Sequence, residues 1–234
     1  MKKIGVLGGM SPESSLEYYR SFISLSKERL PEGRYPELVI YNLNFEGFCR
    51  PVSRGKDEQV RDLLREKLTD LEKAGVDFAL MASNTPHMYY DELKREISIP
   101  LLSIVEATAE KAKKEGYERV GLLGTDFTMT GDFYEKDFAE RDMEIVVPEE
   151  GDREVVHDKI MNELVNGKIL DSTRRELVKI VQKMQEAEGI EAIILGCTEL
   201  PLILSEEEAG ISDFRLIDGF REEYAYVFEA NGKT

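Results

Sequence analysis

The stretch that decides the fold is GVDFALMAS at positions 75–83, which returns without a gap as GIEAIILGC at positions 189–197. Each copy begins with a glycine, continues as an apolar run typical of a buried strand, and ends in a small side chain with a hydroxyl or thiol. A second landmark keeps nearly the same spacing, since Val6 in IGVLGG matches Leu122 in VGLLGT. We interpret the repeat as an internal duplication; the simpler alternative is that any two βα units share these common ingredients.

Apolar segments alternate with amphipathic helical patterns along both halves of the chain. The sequence predicts strands at residues 4–7, 39–43, 76–82, 120–123, 145–147 and 192–195, and helices over residues 59–73 and 172–186. Apolar strands that alternate with helices indicate parallel sheets covered on both faces, which is an α/β fold. We expect two similar α/β domains, with residues 1–103 plus 211–234 in the first and residues 104–210 in the second.

The composition excludes several functional classes. The 234 residues carry a formal net charge of −16, with 41% hydrophobic and 33% charged residues. Such an acidic chain lacks the cationic face that nucleic acids require, and it contains no apolar run of the roughly 18 to 20 residues that cross a membrane. The two cysteines, Cys49 and Cys197, form neither a metal-binding spacing nor a disulfide framework. We therefore expect a cytoplasmic protein that binds no nucleic acid, membrane or metal.

The first predicted strand leads into a glycine turn and a helix start. Gly8, Gly9 and Met10 are followed by Ser11, a preferred N-cap residue, and by Pro12, which suits the first helical position. Backbone N–H groups in such a turn can approach a ligand closely, and the helix N-terminus favours a carboxylate. The spacing differs from the dinucleotide-binding fingerprint, and a tight turn without a ligand is an equally good interpretation.

The other predicted strands end in polar side chains, at the sheet edge where open α/β sheets bind ligands. These side chains are Ser83, Asn84, Thr85, Thr125, Thr128, Cys197 and Thr198. A helix terminus beside Cys197 would lower its pKa and make a thiolate available, although free cysteines are more often small buried hydrophobes. Cys49 fits that second interpretation better.

Four further side chains are candidates for supporting roles. His87 lies four residues after Ser83, so on a helix it would share the same face and could assist that hydroxyl; a surface or capping histidine is the alternative. We expect His157, which lies among charged residues, to be solvated. Arg50 and Lys168 are candidate anion clamps, although single basic residues are usually surface groups.

Together these segments resemble the aspartate/glutamate racemase family, in particular its aspartate racemase branch. The matching pieces are IGVLGGMSPE at 4–13, SNTPH at 83–87, GT at 124–125 with FT at 127–128, GK at 167–168, and GCTEL at 196–200. The resemblance implies two domains with parallel sheets related by pseudo-two-fold symmetry, an active site in the interdomain cleft, no cofactor, and a homodimer.

The resemblance also implies residue roles. Family members carry one catalytic cysteine in each half: one thiolate removes the α-proton of an amino acid, and the opposite thiol returns a proton to the other face. Cys197 matches one of these cysteines, and Ser83 stands where the other is expected. The implied substrate-binding residues are Gly9, Met10, Arg50, Asn84, Thr85, Thr125, Thr128, Lys168 and Thr198.

The sequence therefore predicts a cofactor-independent racemase of aspartate and/or glutamate, with Cys197 as the main acid/base and Ser83, assisted by His87, on the opposite face. Two alternatives stay open. One is a single-cysteine decarboxylase or isomerase of a small diacid, and the other is a non-catalytic protein that binds an acidic amino acid. The preferred substrate and enantiomer, the oligomeric state and the origin of Ser83 are not fixed by the sequence.

Overall fold

A computed structural model describes residues 2–204, 215–219 and 222–223 of the chain. Its strands are β1 (Ile4–Gly8), β2 (Leu38–Asn42), β3 (Phe78–Met81), β4 (Arg119–Gly124), β5 (Glu144–Val146), β6 (Ala192–Gly196) and β7 (Arg215–Ile217). Its α-helices are α1 (Pro12–Arg29), α2 (Phe45–Val52), α3 (Asp57–Lys73), α4 (Tyr90–Glu96), α5 (Ile104–Glu115), α6 (Asp126–Thr130), α7 (Phe133–Ala139), α8 (Glu150–Asn162) and α9 (Asp171–Glu188). Short 3₁₀ helices cover Thr85–Tyr89, Leu164–Asn166 and Leu200–Leu202. In the described residues, no helix is both long and apolar enough to cross a membrane.

The chain divides into two compact units, and each is built on a parallel sheet. Unit 1 comprises residues 1–104 and 223–234, and unit 2 comprises residues 105–222. Among the described residues, the sheet of unit 1 has the order β2-β1-β3 and that of unit 2 has the order β5-β4-β6-β7, with every pairing parallel. The predicted α/β class with parallel sheets is confirmed.

The two sheets share their pairing pattern. In each unit the first strand lies at the centre, flanked by the second and third strands of that unit. A bridge between Ala79 and Leu101 adds a fourth position beside β3, as β7 does beside β6. The central strand β1 is buried along its whole length and β4 is buried from Val120 to Gly124, because apolar side chains on both of their faces pack under helices.

The end of the chain divides differently from our expectation. We assigned residues 211–234 to the first domain, whereas β7 pairs with β6 and so extends the sheet of unit 2. Glu223 belongs to unit 1, where its carboxyl group is completely buried and accepts a hydrogen bond from the Tyr18 hydroxyl of α1. Its other oxygen, Oε1, has no hydrogen-bond partner among the described residues.

A repeated carboxylate contact fixes the start of the central strand in each unit. In unit 1, the Lys3 backbone N–H donates to Asp77 Oδ2 over 2.5 Å. In unit 2, the backbone N–H groups of Arg119 and Glu118 donate to Glu191 Oε2 over 2.9 and 2.7 Å, and these two hydrogen bonds lower the pKa of Glu191. Asp77 and Glu191 occupy the same position of the repeated nine-residue stretch. The repeated sequence is therefore accompanied by a repeated hydrogen-bond contact in the two units.

Candidate active site

The turn after β1 is held tightly against the backbone of residue 43. Gly9 has a φ of +87°, and a Cβ added there would lie 2.3 Å from the Leu43 carbonyl oxygen. Only glycine fits both the torsion angle and the space. The Ser11 side chain caps α1 as predicted, accepting a hydrogen bond from the Ser14 N–H.

The hydrogen-bond partner of the Gly9 N–H bears on how this turn is interpreted. The sequence allowed either a turn that offers its N–H groups to a ligand or a tight turn without a ligand, and the Gly9 N–H donates to Ser15 Oγ over 2.8 Å. The Ser15 hydroxyl on α1 thus satisfies this buried backbone donor within the protein itself. Met10, the next residue, is buried as well.

Ser83 lies directly after β3 and is half-buried. Its hydroxyl is 3.4 Å from the Met10 carbonyl oxygen, to which it donates. Asn84 beside it is buried, and Thr85 begins the short 3₁₀ helix. Unit 1 therefore brings Met10, Ser83 and Asn84 together at the carboxyl ends of neighbouring strands.

His87 is buried under this loop, and both of its ring nitrogens bind backbone groups. Nδ1 lies 2.9 Å from the Ser83 carbonyl oxygen, and Nε2 lies 3.3 Å from the Ile104 backbone nitrogen. Burial lowers the pKa of His87 to about 4, so the ring is neutral near pH 7. The sequence left open an assistant to the Ser83 hydroxyl or a surface or capping histidine; the buried ring binds the Ser83 carbonyl and the Ile104 N–H, and neither nitrogen contacts the hydroxyl through these bonds.

In unit 2, the loop that corresponds to the turn after β1 follows β4. Thr125 and the buried Thr128 have their hydroxyl oxygens 3.2 Å apart. The Asp126 backbone N–H donates to His157 Nδ1 over 3.1 Å, so this histidine holds the first residue of α6 rather than being simply solvated. Gly124 of β4 pairs with Gly196 of β6, which places the Thr125 loop beside the end of the next strand.

Cys197 follows β6, half-buried, with its thiol directed at a carboxylate. Sγ donates to Glu199 Oε2 over 2.9 Å, and the Thr198 hydroxyl donates to the same oxygen over 2.7 Å. Burial raises the pKa of Cys197 well above its ordinary value, and the Glu199 carboxylate raises it further.

This result corrects the expected pKa of the thiol. We predicted that a helix terminus would lower it, but in the described segment up to residue 204 Cys197 is followed by the 3₁₀ turn Leu200–Leu202 and by no α-helix. So short a turn has little of the aligned dipole of an α-helix. The resting group is therefore a protonated thiol that donates to a carboxylate.

Glu199 is the functional candidate that sequence reasoning missed. Its side chain is 5% exposed, although carboxylates are seldom buried without partners. The signal was present in the sequence, where an acidic residue stands two positions after Cys197 and directly before Leu200. The role of Glu199 depends on the turn after Cys197, which brings its carboxylate to the thiol, and the sequence pattern does not show this contact.

Two of the remaining predicted residues, Arg50 and Lys168, lie at the surface. Arg50 is exposed in the last turn of α2, and Lys168 is exposed after Gly167, with its backbone N–H donating to Glu163. Cys49 is half-buried, and burial raises its pKa. Within the described residues, no group of three or more His, Cys, Asp or Glu side chains is arranged to hold a metal ion.

Comparison with known proteins places these features in a family. The chain is 37% identical to an aspartate racemase homologue from Pyrococcus horikoshii, with a TM-score of 0.86 and both chains covered completely. It is 30% identical to the structure of a putative Asp/Glu racemase from Yersinia pestis, with a TM-score of 0.89, covering 98% of this chain and 99% of that one. It is also 26% identical over 218 residues to the broad specificity amino-acid racemase RacX of Bacillus subtilis, covering 89% of this chain and 90% of the relative.

The family match covers almost the whole described chain. The model of the family described as Asp/Glu/Hydantoin racemase matches residues 7–223. This range includes the turn after β1, the loop of Ser83 and His87, and the segment of Cys197 and Glu199. By this match and by its two parallel sheets, the chain belongs to the Asp/Glu/hydantoin racemase family.

Proposed function

We propose that this protein is a cofactor-independent racemase of aspartate and/or glutamate that removes the α-proton and returns a proton to the opposite face. The observation that carries the proposal is the thiol of Cys197 bonded to the buried carboxylate of Glu199 at the end of β6. A thiol paired with a general base is the arrangement that acid/base chemistry requires. Family membership supports an amino acid as the substrate.

In the proposed reaction, Glu199 is the proton acceptor that activates Cys197. Its Oε2 takes the thiol proton across 2.9 Å, leaving a thiolate and a neutral carboxylic acid. The thiolate then removes the α-proton, and the electron pair of the Cα–H bond moves onto the substrate carboxylate. Because burial raises the pKa of Cys197, this thiolate forms only transiently and the thiol is the resting state.

The return of a proton to the opposite face is assigned to the Ser83 hydroxyl. The resulting Ser83 alkoxide regains a proton from solvent, and Glu199 releases its proton to solvent, which restores the starting state. A hydroxyl is a much weaker acid than a thiol, and both nitrogens of His87 are engaged by backbone groups. Ser83 therefore acts without a helper from the histidine. Since racemisation has an equilibrium constant of one, a poor Ser83 lowers kcat/KM equally in both directions.

The polar side chains at the strand ends are proposed to bind the substrate. Asn84 and Thr85 from unit 1, with Thr125 and Thr198 from unit 2, supply hydroxyl and amide groups for the carboxylates and the amine. Arg50 and Lys168 supply positive charge for an acidic side chain, which an overall charge of −16 would otherwise repel. Gly9, Met10 and Thr128 shape the pocket.

Deuterium exchange tests the proposal directly. Each enantiomer of aspartate and glutamate is incubated with the protein in heavy water, and loss of the α-proton signal and optical rotation are followed together. Cys197→Ala should lower exchange at least about a hundredfold, as expected for loss of an acid/base group, and Ser83→Cys should raise racemisation. Cys49→Ala is the matched control, because it removes the cysteine that is not assigned to the reaction. Absence of exchange in the wild-type protein with all four substrates would refute the racemase assignment.

A second candidate is a protein that binds an acidic amino acid without turnover. The raised pKa of Cys197 and the unassisted hydroxyl of Ser83 favour it, because both disfavour proton transfer. It predicts that aspartate or glutamate raises the unfolding temperature while the α-proton is retained. The heavy-water experiment therefore separates the two functions.

A further inference from the structure

The imidazole of His87 bridges two backbone groups that lie 21 positions apart in the sequence. The ring is 3% exposed, with Nδ1 2.9 Å from the Ser83 carbonyl oxygen and Nε2 3.3 Å from the Ile104 nitrogen. A backbone N–H can only donate, so Nε2 must be the acceptor and Nδ1 must carry the proton. The tautomer of the ring is thus fixed by its two partners.

The second partner lies where the chain passes from one unit to the other. Ile104 is the first residue of α5 and the last residue of the first segment of unit 1, and Val105 belongs to unit 2. A second ring reinforces this contact. Tyr90 is stacked on His87 with ring centroids 5.8 Å apart, and its hydroxyl donates to the Leu101 carbonyl over 2.9 Å.

A buried imidazole with both nitrogens satisfied is costly to disturb. Removing one partner leaves a buried polar group unsatisfied, which costs about 1–3 kcal/mol. The bond from Nδ1 fixes the carbonyl of Ser83, and the side chain of Ser83 projects from the same short loop after β3. Loss of that bond therefore changes the direction of the hydroxyl more readily than it unfolds unit 1.

We propose that His87 is a positioning residue that orients Ser83 for the racemase reaction and anchors its loop to the first residue of α5. This inference rests on the proposed function. It differs from the sequence-based assignment, because the ring acts on the Ser83 backbone and exchanges no proton with the substrate.

Two substitutions separate the two bonds of the ring. In His87→Asn, the amide NH₂ stands near the position of Nδ1 and keeps the bond to the Ser83 carbonyl. In His87→Gln, the amide oxygen reaches the position of Nε2 and keeps the bond to the Ile104 N–H. Met88→Ala is the control, because Met88 is an exposed neighbour in the same 3₁₀ helix.

The measurement is α-proton exchange of each enantiomer in heavy water, with kcat and KM determined separately, together with amide hydrogen exchange of residues 101–104. Ser83→Ala identifies the enantiomer whose exchange depends on Ser83. His87→Gln should lower kcat for that enantiomer about tenfold, the factor that corresponds to one lost hydrogen bond, with little change in KM or in the other enantiomer. His87→Asn should preserve the wild-type ratio of kcat between the two enantiomers and accelerate amide hydrogen exchange at Ile104.

The outcomes distinguish this inference from the proposed function. If the wild-type protein exchanges α-protons but both His87 variants keep the enantiomer ratio of Met88→Ala, His87 has no positioning role. If His87→Gln lowers both enantiomers in parallel with the unfolding temperature, the residue is purely structural and the inference is wrong. Absence of exchange in the wild-type protein refutes the racemase function, and the positioning role falls with it.

Discussion

The buried carboxyl group of Glu223 should make the stability of this protein fall steeply as the pH rises. Burial raises the pKa of Glu223 to about 8 from an ordinary value of 4.5, while the hydrogen bond from Tyr18 opposes the increase only in part. The folded protein therefore binds a proton that the unfolded chain releases above about pH 5. A group with a raised folded-state pKa stabilises the fold below its unfolded pKa and loses that contribution as the pH passes through its folded pKa. For Glu223 this window runs from about pH 4.5 to about pH 8.

The magnitude follows from the two pKa values. One unit of pKa difference corresponds to about 1.4 kcal/mol, so between pH 5 and pH 8 the Glu223 contribution to the free energy of unfolding should fall by about 3.5 kcal/mol. Glu223→Gln removes the titrating group and retains an oxygen that accepts from the Tyr18 hydroxyl. The variant should therefore lack this part of the pH dependence and be the more stable protein above about pH 8.

Urea unfolding at a series of pH values from about 5 to about 9 measures the difference. Glu110→Gln, an exposed position on α5, controls for the loss of one carboxylate. Stability curves of wild type and Glu223→Gln that run parallel across this range would refute the reasoning, because they would show that Glu223 has the same pKa in the folded and unfolded states. An unfolding transition that loses its two-state form in the variant would be recognised by a changed m-value.

Three further predictions concern the loops at the strand ends. Glu199→Gln should lower the pKa of Cys197 toward its ordinary value, which faster alkylation at high pH would show. The same variant should slow α-proton exchange, because the proton acceptor is lost. Faster exchange would contradict the role of Glu199. Gly9→Ala should lower the free energy of unfolding in urea by at least about 3 kcal/mol. Gly55 also has a positive φ but has open space around it, so Gly55→Ala should lower it by no more than about 1–2 kcal/mol. Equal losses would disprove the clash with residue 43. His157→Phe should cost about 1 kcal/mol through loss of the acceptor for Asp126, and His157→Asn should restore it; identical unfolding midpoints for both variants would exclude this contact.

The fold could be predicted from the sequence because hydrophobic patterning determines it. The apolar run at 192–195 and the helical pattern at 172–186 correspond to β6 (Ala192–Gly196) and α9 (Asp171–Glu188). Their signals are long and periodic, and burial of the apolar face decides the outcome. Ser11 was recognisable as a helix cap because its chemistry is local.

The details of the candidate site could not be predicted, because they depend on contacts made by the folded chain. The pKa of Cys197 is set by burial and by a carboxylate that reaches it through a turn, whereas the sequence indicated only a neighbouring helix. One backbone partner of His87 lies 17 positions away, at Ile104, and the backbone partner of His157 lies 31 positions away, at Asp126. Periodicity carries no information about such contacts, and the place of β7 beside β6 was missed for the same reason.

The paired contacts at the start of the central strands have a consequence for how the free energies of substitutions combine. Asp77 and Glu191 make their contacts at the amino ends of the strands, whereas Ser83 and Cys197 follow the carboxyl ends. Six residues separate the two positions in each unit, which is about 20 Å for a strand with a rise of about 3.3 Å per residue. Effects of substitutions that share no partners usually add once the sites are more than about 7–10 Å apart. Substitutions at the carboxyl ends of the strands can therefore leave unchanged the stability supplied by the carboxylate contacts at the other end. Two copies of one ancestral unit could in this way keep the same carboxylate contact and still diverge to a hydroxyl in one half and a thiol in the other.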